Sequence, residues 1–161
     1  MLIEIVQADL AQPRHAGALL ELLDAYARDP MGGGQPLSGF TRKNLVTELR
    51  KRSAAVSFLA FADGQPVGLV NCFEGFSTFR CRPLLNIHDV VVLDGYRGQG
   101  IARRLLERVE AHARERGCCK LTLEVLAGNR RARSVYQQAG FSGYELDPST
   151  GQALFWEKSL E

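Results

Sequence analysis

The sequence predicts a single α/β domain over residues 1–161, built on a mixed sheet. Length and composition are ordinary for one folded domain, with 161 residues, of which 45% are apolar and 24% charged. Segments of two-residue period and segments of helical period follow one another in the order β-α-α-β-β-β-α-β-α-β-β. Because several strands succeed each other without a helix between them, a doubly wound parallel sheet is excluded.

The first part of the chain predicts one strand and two helices. Residues 2–7 alternate weakly and predict the strand. Residues 9–28 predict a helix with Pro13 in its first turn, where a missing amide proton costs little. Residues 29–36 contain two prolines and three consecutive glycines and predict a loop. Residues 41–52 predict the second helix.

The middle of the chain predicts a hairpin, a third strand and a long helix. The β-prone segments 55–62 and 65–74 are joined by Asp63-Gly64, a strong hairpin signal. Residues 84–93 are the most strongly β-prone stretch of the chain. After a glycine turn, a helical pattern runs to about Arg116, with apolar residues spaced by four.

The last part of the chain predicts a strand, a short helix and a closing hairpin. Residues 121–126 predict the strand. Asn129 is a natural N-cap for a helix that Gly140 ends. Residues 141–146 and 153–158 predict the two strands of the closing hairpin.

Charge and cysteine usage exclude several classes of function. Twenty basic residues against 18 acidic ones leave a net charge of +2, so we expect no nucleic-acid partner. No apolar run reaches the length of a membrane span, and residues 1–6 lack the basic start of a signal peptide. The cysteines form neither a CxxC pair nor a spaced Cys/His set, so we expect no metal and a reducing cytoplasmic location. These cysteines are Cys72, Cys81, Cys118 and Cys119.

The segment with the clearest chemical meaning joins the strand ending at Leu93 to the long helix. It reads Arg97-Gly98-Gln99-Gly100-Ile101-Ala102. Such a turn presents free backbone amides at the positive end of a helix, and glycine lets the backbone approach an anion closely. A pyrophosphate is the expected occupant. No Gly-Lys-Ser/Thr follows, which excludes a P-loop, and the glycine pattern is not the dinucleotide fingerprint. A plain strand-to-helix turn is the alternative.

This segment resembles the acetyl-CoA pyrophosphate motif of the GNAT superfamily of N-acetyltransferases, Arg/Gln-x-x-Gly-x-Gly/Ala. A second segment resembles the family's Asn-x-x-Ala, Tyr and Gly-Phe signature, through Asn129-Arg130-Arg131-Ala132, Val135-Tyr136 and Ala139-Gly140-Phe141. Two motifs at the family's separation are more specific than one. The resemblance implies a GNAT fold, with a mostly antiparallel mixed sheet, helices on both faces and splayed central strands.

The resemblance also implies a site for acetyl-CoA as cosubstrate. Backbone groups of the strand would pair with the pantetheine arm, amides of the turn would hold the pyrophosphate, and Asn129 would bind the pantetheine. The implied residues are Val90, Val91, Val92, Arg97, Gly98, Gln99, Gly100, Ile101, Ala102, Arg103, Asn129, Ala132 and Tyr136. Arginine suits phosphate because its fork donates two hydrogen bonds. For Arg103, Arg104 and Arg131, a solvated helix face is the alternative.

A narrower resemblance is to the spermidine/spermine N-acetyltransferase branch, which acts on polyamines and diamines. That branch has a Phe-rich strand and loop before a strand ending in Glu-Asp. This chain has Phe76-Ser77-Thr78-Phe79 and then Arg82-Pro83-Leu84-Leu85-Asn86-Ile87-His88-Asp89. It departs from the branch at His88, where the branch has a glutamate implicated as base, and at Gly128, where a tryptophan is frequent.

Acetyl transfer needs a base for the amine and an acid for the departing thiolate. The resemblance implies that Tyr136 is the acid; a core tyrosine on an amphipathic helix is the alternative. His88 is the leading candidate base, because imidazole ordinarily titrates near neutrality, although a lone strand histidine is often structural. Asp89 and Glu74 are further candidates, and a β-bulge would decide which side chain faces the cleft. We expect the acceptor to lie near residues 24–40.

The acceptor predicted from these residues is a primary amine on a small molecule. Another amine acceptor, such as an amino acid, a peptide amine or an aminoglycoside, and a CoA-binding domain without turnover stay open as alternatives. The resemblance also implies a homodimer, since relatives often dimerise and the closing strands offer an edge.

Overall fold

The computed structural model describes residues 1–161, which divide into two compact units, residues 1–123 and 124–161. The single-domain interpretation therefore stays a prediction. The first unit contains five strands and three helices. These are β1 (Ile3–Gln7), α1 (Pro13–Arg28), α2 (Gly39–Arg50), β2 (Ala55–Ala62), β3 (Gln65–Ser77), β4 (Arg82–Val92), α3 (Ile101–Glu115) and β5 (Leu121–Leu123). The second unit contains α4 (Arg130–Gln138).

The five strands form one sheet in the order β1-β2-β3-β4-β5. The first four are antiparallel neighbours, whereas β5 runs parallel to β4. The β4–β5 ladder covers only residues 85–87 against 121–123. The mixed, mostly antiparallel sheet is therefore confirmed, with its one parallel pair at an edge.

Helices cover both faces of the sheet, as expected. On one face, α1 and α2 pack on β2, β3 and β4 through a core of Leu19, Leu22, Leu49, Leu59, Leu69 and Val91. On the other face lies α3. A Cβ built on Gly68 of β3 would come within 2.9 Å of Leu105 and 3.3 Å of Ile101. Gly68 thus lets α3 approach the sheet closely.

Local signals in the first unit fixed most element boundaries. Asp63 and Gly64 have φ values of 46° and 84°, as a tight hairpin turn with two left-handed residues requires. The first helix begins at Pro13 rather than at Asp9, because proline favours the first helical position. The second begins at Gly39, ahead of the predicted start, because the Ser38 side chain caps it by accepting from the Thr41 amide at 3.1 Å.

The predicted strand 121–126 is shorter than expected and ends at Leu123. Its partner strand β4 is regular through Ile87, and a bulge follows at the next residue. Because a bulge bends its strand and increases the twist, the parallel ladder ends where β4 turns away.

In the second unit, the helix caps were predicted correctly and the closing hairpin was not. The Asn129 side chain accepts from the Ala132 amide at 3.2 Å, and Gly140 follows the helix with φ 95°. Instead of two strands over 141–146 and 153–158, there is a single bridge between Glu145 and Gln152. A two-stranded ribbon is only marginally stable by itself, so one bridge beside the turn is all that forms. None of the four helices is both long and apolar enough to cross a bilayer.

Candidate active site

A β-bulge lies in β4 at His88, the leading candidate for the catalytic base. Asn71 pairs with Asp89 and the next residue, Cys72, pairs with Ile87, so His88 has no partner on β3. The His88 ring packs edge-on against Phe73, with centroids 5.4 Å apart, and the Asp89 carboxylate accepts from the Asn71 amide at 3.0 Å. Asn71 and Phe73 are two residues apart and share a face of the sheet. The bulge therefore brings His88 and Asp89 to the same face.

That face is the one covered by α1, and its electrostatics are negative. Burial raises the pKa of Tyr26 on α1, and the charges of Asp89 and Asp29 raise it further. Cys72 lies between Asn71 and Phe73 and points to the opposite face, where burial raises the pKa of its thiol to about 12 and the Asp89 charge adds to the effect. No lysine, arginine or histidine forms an ion pair with Asp89. A cation approaching this carboxylate would therefore be its first charged partner.

Glu74, the third candidate base, is not brought together with the other two. It follows Phe73 on β3 and so points to the opposite face, that of α3. There its carboxylate accepts from Arg116, with Nε–Oε2 at 3.0 Å and a second contact at 3.3 Å. This bidentate ion pair gives Glu74 a structural role at the end of α3.

Past Ile87, the edge of β4 away from β3 has no neighbouring strand. The Leu93 amide donates to Val67 of β3 at 3.0 Å, so alternate residues of this regular stretch face β3 and the others face away. Val90 and Val92 are the residues that face away, whereas Val91 faces β3 and its side chain joins the core. Their outward backbone groups suit an extended chain that adds to the sheet edge.

The turn after β4 has the geometry of an anion site. Gly98 and Gly100 have φ values of 77° and 78°, which favour glycine. Gly100 precedes α3, and no backbone amide of residues 98–103 donates to a backbone or side-chain acceptor. The Gln99 side chain folds back onto the Gly95 carbonyl at 3.2 Å. Unsatisfied amides at a helix N-terminus and glycines without side chains fit a pyrophosphate.

The arginines near this turn are already engaged within the first unit. Arg97 donates to the Val92 carbonyl at 2.9 Å and pairs with Asp94 and with Asp29, the latter at 3.4 Å. Arg103 pairs with Glu107 at 2.6 Å, and Arg104 donates to the Ile3 carbonyl at 3.0 Å. The contact between Arg97 and Asp29 spans 68 residues and had no signal in the sequence.

In the expected acceptor region, residues 24–40, the Asp24 side chain of α1 makes several polar contacts. Its carboxylate pairs with Arg28 at 2.8 Å and Arg42 at 2.7 Å, and it accepts from the Leu37 amide at 2.9 Å. These bonds hold the Asp24 pKa below its usual value, the Arg28 hydrogen bond most strongly. Asp24 therefore fastens the loop and α2 to α1, and Asp29 is the carboxylate that reaches the turn.

The second unit carries the other predicted residues. Asn129 caps α4 at the Ala132 amide, so Ala132 lies in the first turn. Tyr136 lies in the last turn, its ring 6.1 Å from that of Phe141, whose amide donates to the Tyr136 carbonyl at 3.0 Å. The Gly-Phe part of the second motif thus packs on the tyrosine.

Two polar residues of the sheet were missed in the sequence. Ser57 and Asn71 are 6% and 4% exposed, and the Ser57 hydroxyl donates to the Asn71 side-chain oxygen at 2.6 Å. The available signal was a polar residue within each of two otherwise apolar β-prone segments. Since buried polar groups are hydrogen-bonded, a polar residue in such a segment predicts a hydrogen-bond partner on a neighbouring strand.

Comparison with known proteins shows the family of this chain. A profile of the acetyltransferase (GNAT) family matches residues 18–141. The chain belongs to the GNAT acetyltransferase family. The matched residues include the Arg97–Ala102 motif, the Asn129–Phe141 signature and the bulged strand β4. The family, its fold and the expected cosubstrate class therefore follow from the same residues.

Relatives within the GNAT family act on different amines. The chain is similar to N-alpha-acetyltransferase MAK3 of Arabidopsis thaliana, 32% identical over 140 residues, covering 86% of this chain and 66% of that protein. It is also similar to thialysine N-epsilon-acetyltransferase of Bos taurus, 33% identical over 90 residues, covering 53% and 52%. The chain thus spans between half and two thirds of the length of these relatives.

A crystal structure of a probable acetyltransferase is similar over nearly the whole of both chains. The TM-score is 0.81 at 25% identity, with 98% of this chain and 99% of that chain covered. The GNAT fold of this chain is therefore shown by structure as well as by sequence.

Proposed function

We propose that this GNAT chain transfers an acetyl group from acetyl-CoA to a primary amine of a small molecule of the polyamine or diamine type. The observation that carries the proposal is the bulge at His88. It places an imidazole and a carboxylate on one face of β4, on the strand that leads into the free amides of residues 98–103.

The cofactor side of the proposal is carried by backbone groups. Amides of residues 98–103 would hold the pyrophosphate, and the outward backbone of Val90 and Val92 would pair with the pantetheine. Since Arg97 already bonds to the Val92 carbonyl, the Val92 amide and both groups of Val90 remain for this pairing. When bound, acetyl-CoA supplies the activated acetyl group as a thioester.

The residues on the acceptor side must first attract the ammonium form of the amine and then remove its proton. An alkylamine has a pKa of about 10, so at neutral pH it arrives as an ammonium ion. Asp89 would attract this cation, because it is half-buried and has no charged partner. His88 or Asp89 would then take the proton, directly or through water. Tyr136 is proposed, on the family resemblance, to protonate the departing thiolate.

A panel of amines tests the function directly. Purified protein and acetyl-CoA are mixed with putrescine, spermidine, lysine, a peptide with a free N-terminus and an aminoglycoside, and thiol release is followed. We expect the highest kcat/KM with the polyamines. Preference for the aminoglycoside or the peptide would replace the acceptor class. Tight binding of acetyl-CoA with no release above hydrolysis for any amine would indicate a CoA-binding domain without turnover.

We further propose a homodimer. In the second unit, Leu154, Phe155 and Trp156 are consecutive and between 76% and 82% exposed. A large exposed apolar segment of this kind is typical of an interface. Analytical ultracentrifugation should give twice the chain mass, and Trp156→Ser together with Phe155→Ser should give the monomer. A monomeric parent at micromolar concentration would contradict the proposal.

The four free thiols suit a reducing cytoplasm.

A further inference from the structure

We propose that Asn71, itself fixed by Ser57, is a positioning residue that aims the Asp89 carboxylate at the acceptor's ammonium group. This inference rests on the proposed function, because it assigns a role to residues behind the same site. Asn71 does not touch the acceptor; it acts through Asp89.

The three side chains form a relay across neighbouring strands. Ser57 of β2 is in register with Asn71 of β3, which is in register with Asp89 of β4. The Ser57 hydroxyl donates to Asn71 Oδ1 at 2.6 Å, and Asn71 Nδ2 donates to Asp89 Oδ2 at 3.0 Å. The relay therefore runs from the interior outward to a single carboxylate oxygen.

Burial makes this arrangement costly unless it is complete. Ser57 and Asn71 are more than nine-tenths buried, and no buried side-chain polar atom of the chain is without a partner. Valine at positions 57 and 71 would occupy the same places in the strands and would leave no buried polar group that needs a hydrogen-bond partner. The ionised Asp89 carboxylate only accepts, so it takes the Asn71 amide nitrogen, and the Ser57 hydroxyl donates to the amide oxygen that remains.

The relay leaves one oxygen of Asp89 for a ligand. Oδ2 is occupied by Asn71, whereas Oδ1 has no hydrogen-bond partner. Tyr26 from α1 and Cys72 from β3 lie within electrostatic range of this carboxylate, and His88 precedes it in β4. Asp29, whose own charge is partly balanced by Arg97, is a second negative charge that acts on Tyr26. None of them forms an ion pair with Asp89. A fixed carboxylate with a free oxygen and a negative surrounding suits an ammonium ion.

The first test is the pH dependence of kcat/KM for the best amine. Asn71→Asp preserves shape and the Ser57 bond but places a second carboxylate against Asp89. Two carboxylates at this distance do not both ionise freely, so the acid limb, the acidic fall in kcat/KM that depends on ionised Asp89, should move to higher pH by about one unit or more. This fall is distinguished from the limb assigned to His88, which His88→Gln removes. Ser57→Ala should leave the acid limb in place and lower kcat/KM about fivefold, the effect of one hydrogen bond. Affinity for acetyl-CoA should not change in either variant.

Asn44→Asp is the matched control, because it makes the same change on α2, outside the relay, where Asn44 donates to the Phe40 carbonyl. Its acid limb should coincide with that of the parent. A folded Asn71→Asp variant whose limb also coincides with the parent would overturn the inference and leave Asn71 a structural residue.

The second test needs no acetyl-CoA and no turnover. Tyrosinate formation is titrated by ultraviolet absorbance in the free protein, with Tyr26→Phe identifying the Tyr26 signal. Asp89→Asn removes a negative charge near Tyr26 and should lower its pKa. Asn71→Ala, which releases the carboxylate from its fixed position, should lower that pKa in the same direction. If only Asp89→Asn does so, Asn71 does not position Asp89.

The two tests separate the inference from the proposed function. If no amine is acetylated, the proposed function fails and the titration of Tyr26 still reports on the relay. If the parent is active and both tests leave Asn71 without effect, the inference alone fails. Asn71→Ala also replaces Asn71→Asp in the kinetic test if the latter does not melt cooperatively; kcat/KM should then fall with the acetyl-CoA affinity unchanged, and an unchanged value overturns the inference.

Discussion

Arg97 donates from Nε to the carbonyl of Val92 at 2.9 Å, which ties the first residue of the glycine motif back to the end of β4. Its guanidinium also contacts Asp94 and Asp29. The arginine that the motif offers to phosphate is thus used to shape the turn and to fasten the loop after α1. We therefore expect an anion to be bound by the backbone amides of residues 98–103, which have no internal acceptor.

Gly100→Glu should abolish the increase in melting temperature that acetyl-CoA produces in the parent. A carboxylate at the closest backbone approach repels the pyrophosphate, and ligand binding stabilises by mass action. Gly100 also has a positive φ, so any side chain is strained there. Gly100→Ala carries the same strain without the charge and should retain part of the increase. Equal increases in parent and Gly100→Glu would show that the anion site lies elsewhere.

His88→Gln should lower kcat/KM for the amine about a hundredfold near neutral pH and remove the lower limb of its pH profile. Glutamine keeps a polar side chain but takes no proton in this range. Asp89→Asn is the necessary partner experiment, because the bulge puts both side chains on one face. If His88→Gln retains the limb and Asp89→Asn loses it, the carboxylate is the base and His88 packs on Phe73.

Tyr136→Phe should lower kcat more than it lowers the affinity for acetyl-CoA. The change removes only the hydroxyl, so packing against Phe141 is preserved. If the hydroxyl acts as the thiolate leaves, the loss belongs to the transition state. Pre-steady-state thiol release, with the amine saturating, measures the chemical step. An unchanged rate in that assay would leave Tyr136 a packing residue of α4.

Gly32→Ala should raise the KM for the amine and destabilise the chain. A Cβ at Gly32 would clash with the backbone carbonyl of Tyr26, which cannot yield as a flexible side chain would. The loop carrying Asp29 must then shift, while the glycine turn stays as it is. Gly17→Ala is the control, because a Cβ there has free space within α1, and it should stabilise by about 1 kcal/mol. Steady-state kinetics and urea unfolding report both effects.

The free energy of unfolding should fall as the pH drops below about 4, with Asp24 contributing to the loss. In the folded chain the Arg28 hydrogen bond and the Leu37 amide hold the Asp24 pKa below its usual value of 3.8. The unfolded chain therefore binds the proton first, and stability present at neutral pH is lost in acid. Asp24→Asn should flatten this dependence in urea unfolding between pH 3 and pH 6. Glu21→Gln, an exposed carboxylate without an ion pair on the same helix, should not.

Features written in short stretches of sequence were predictable. Asp63-Gly64 specified the hairpin, Asn129 marked a helix start, and Gly98 and Gly100 indicated a turn with left-handed residues. In each case one residue's backbone preference or side-chain reach within a few positions determines the conformation. The closing hairpin failed by the same standard, since β-prone residues around Asp147-Pro148 do not supply the further strands that a stable ribbon needs.

The sequence by itself therefore determined the family and the order of most elements, and it supplied the candidate site residues. Only the tertiary structure decided how these residues are used. The missing partner of His88 depends on the register of β3 against β4, and a register is set by pairing along the whole strand. The same pairing turned Glu74 to the face of α3, joined Ser57 and Asn71 to Asp89, and brought Asp29 to Arg97. Such contacts join residues far apart in the chain, and no local preference encodes them.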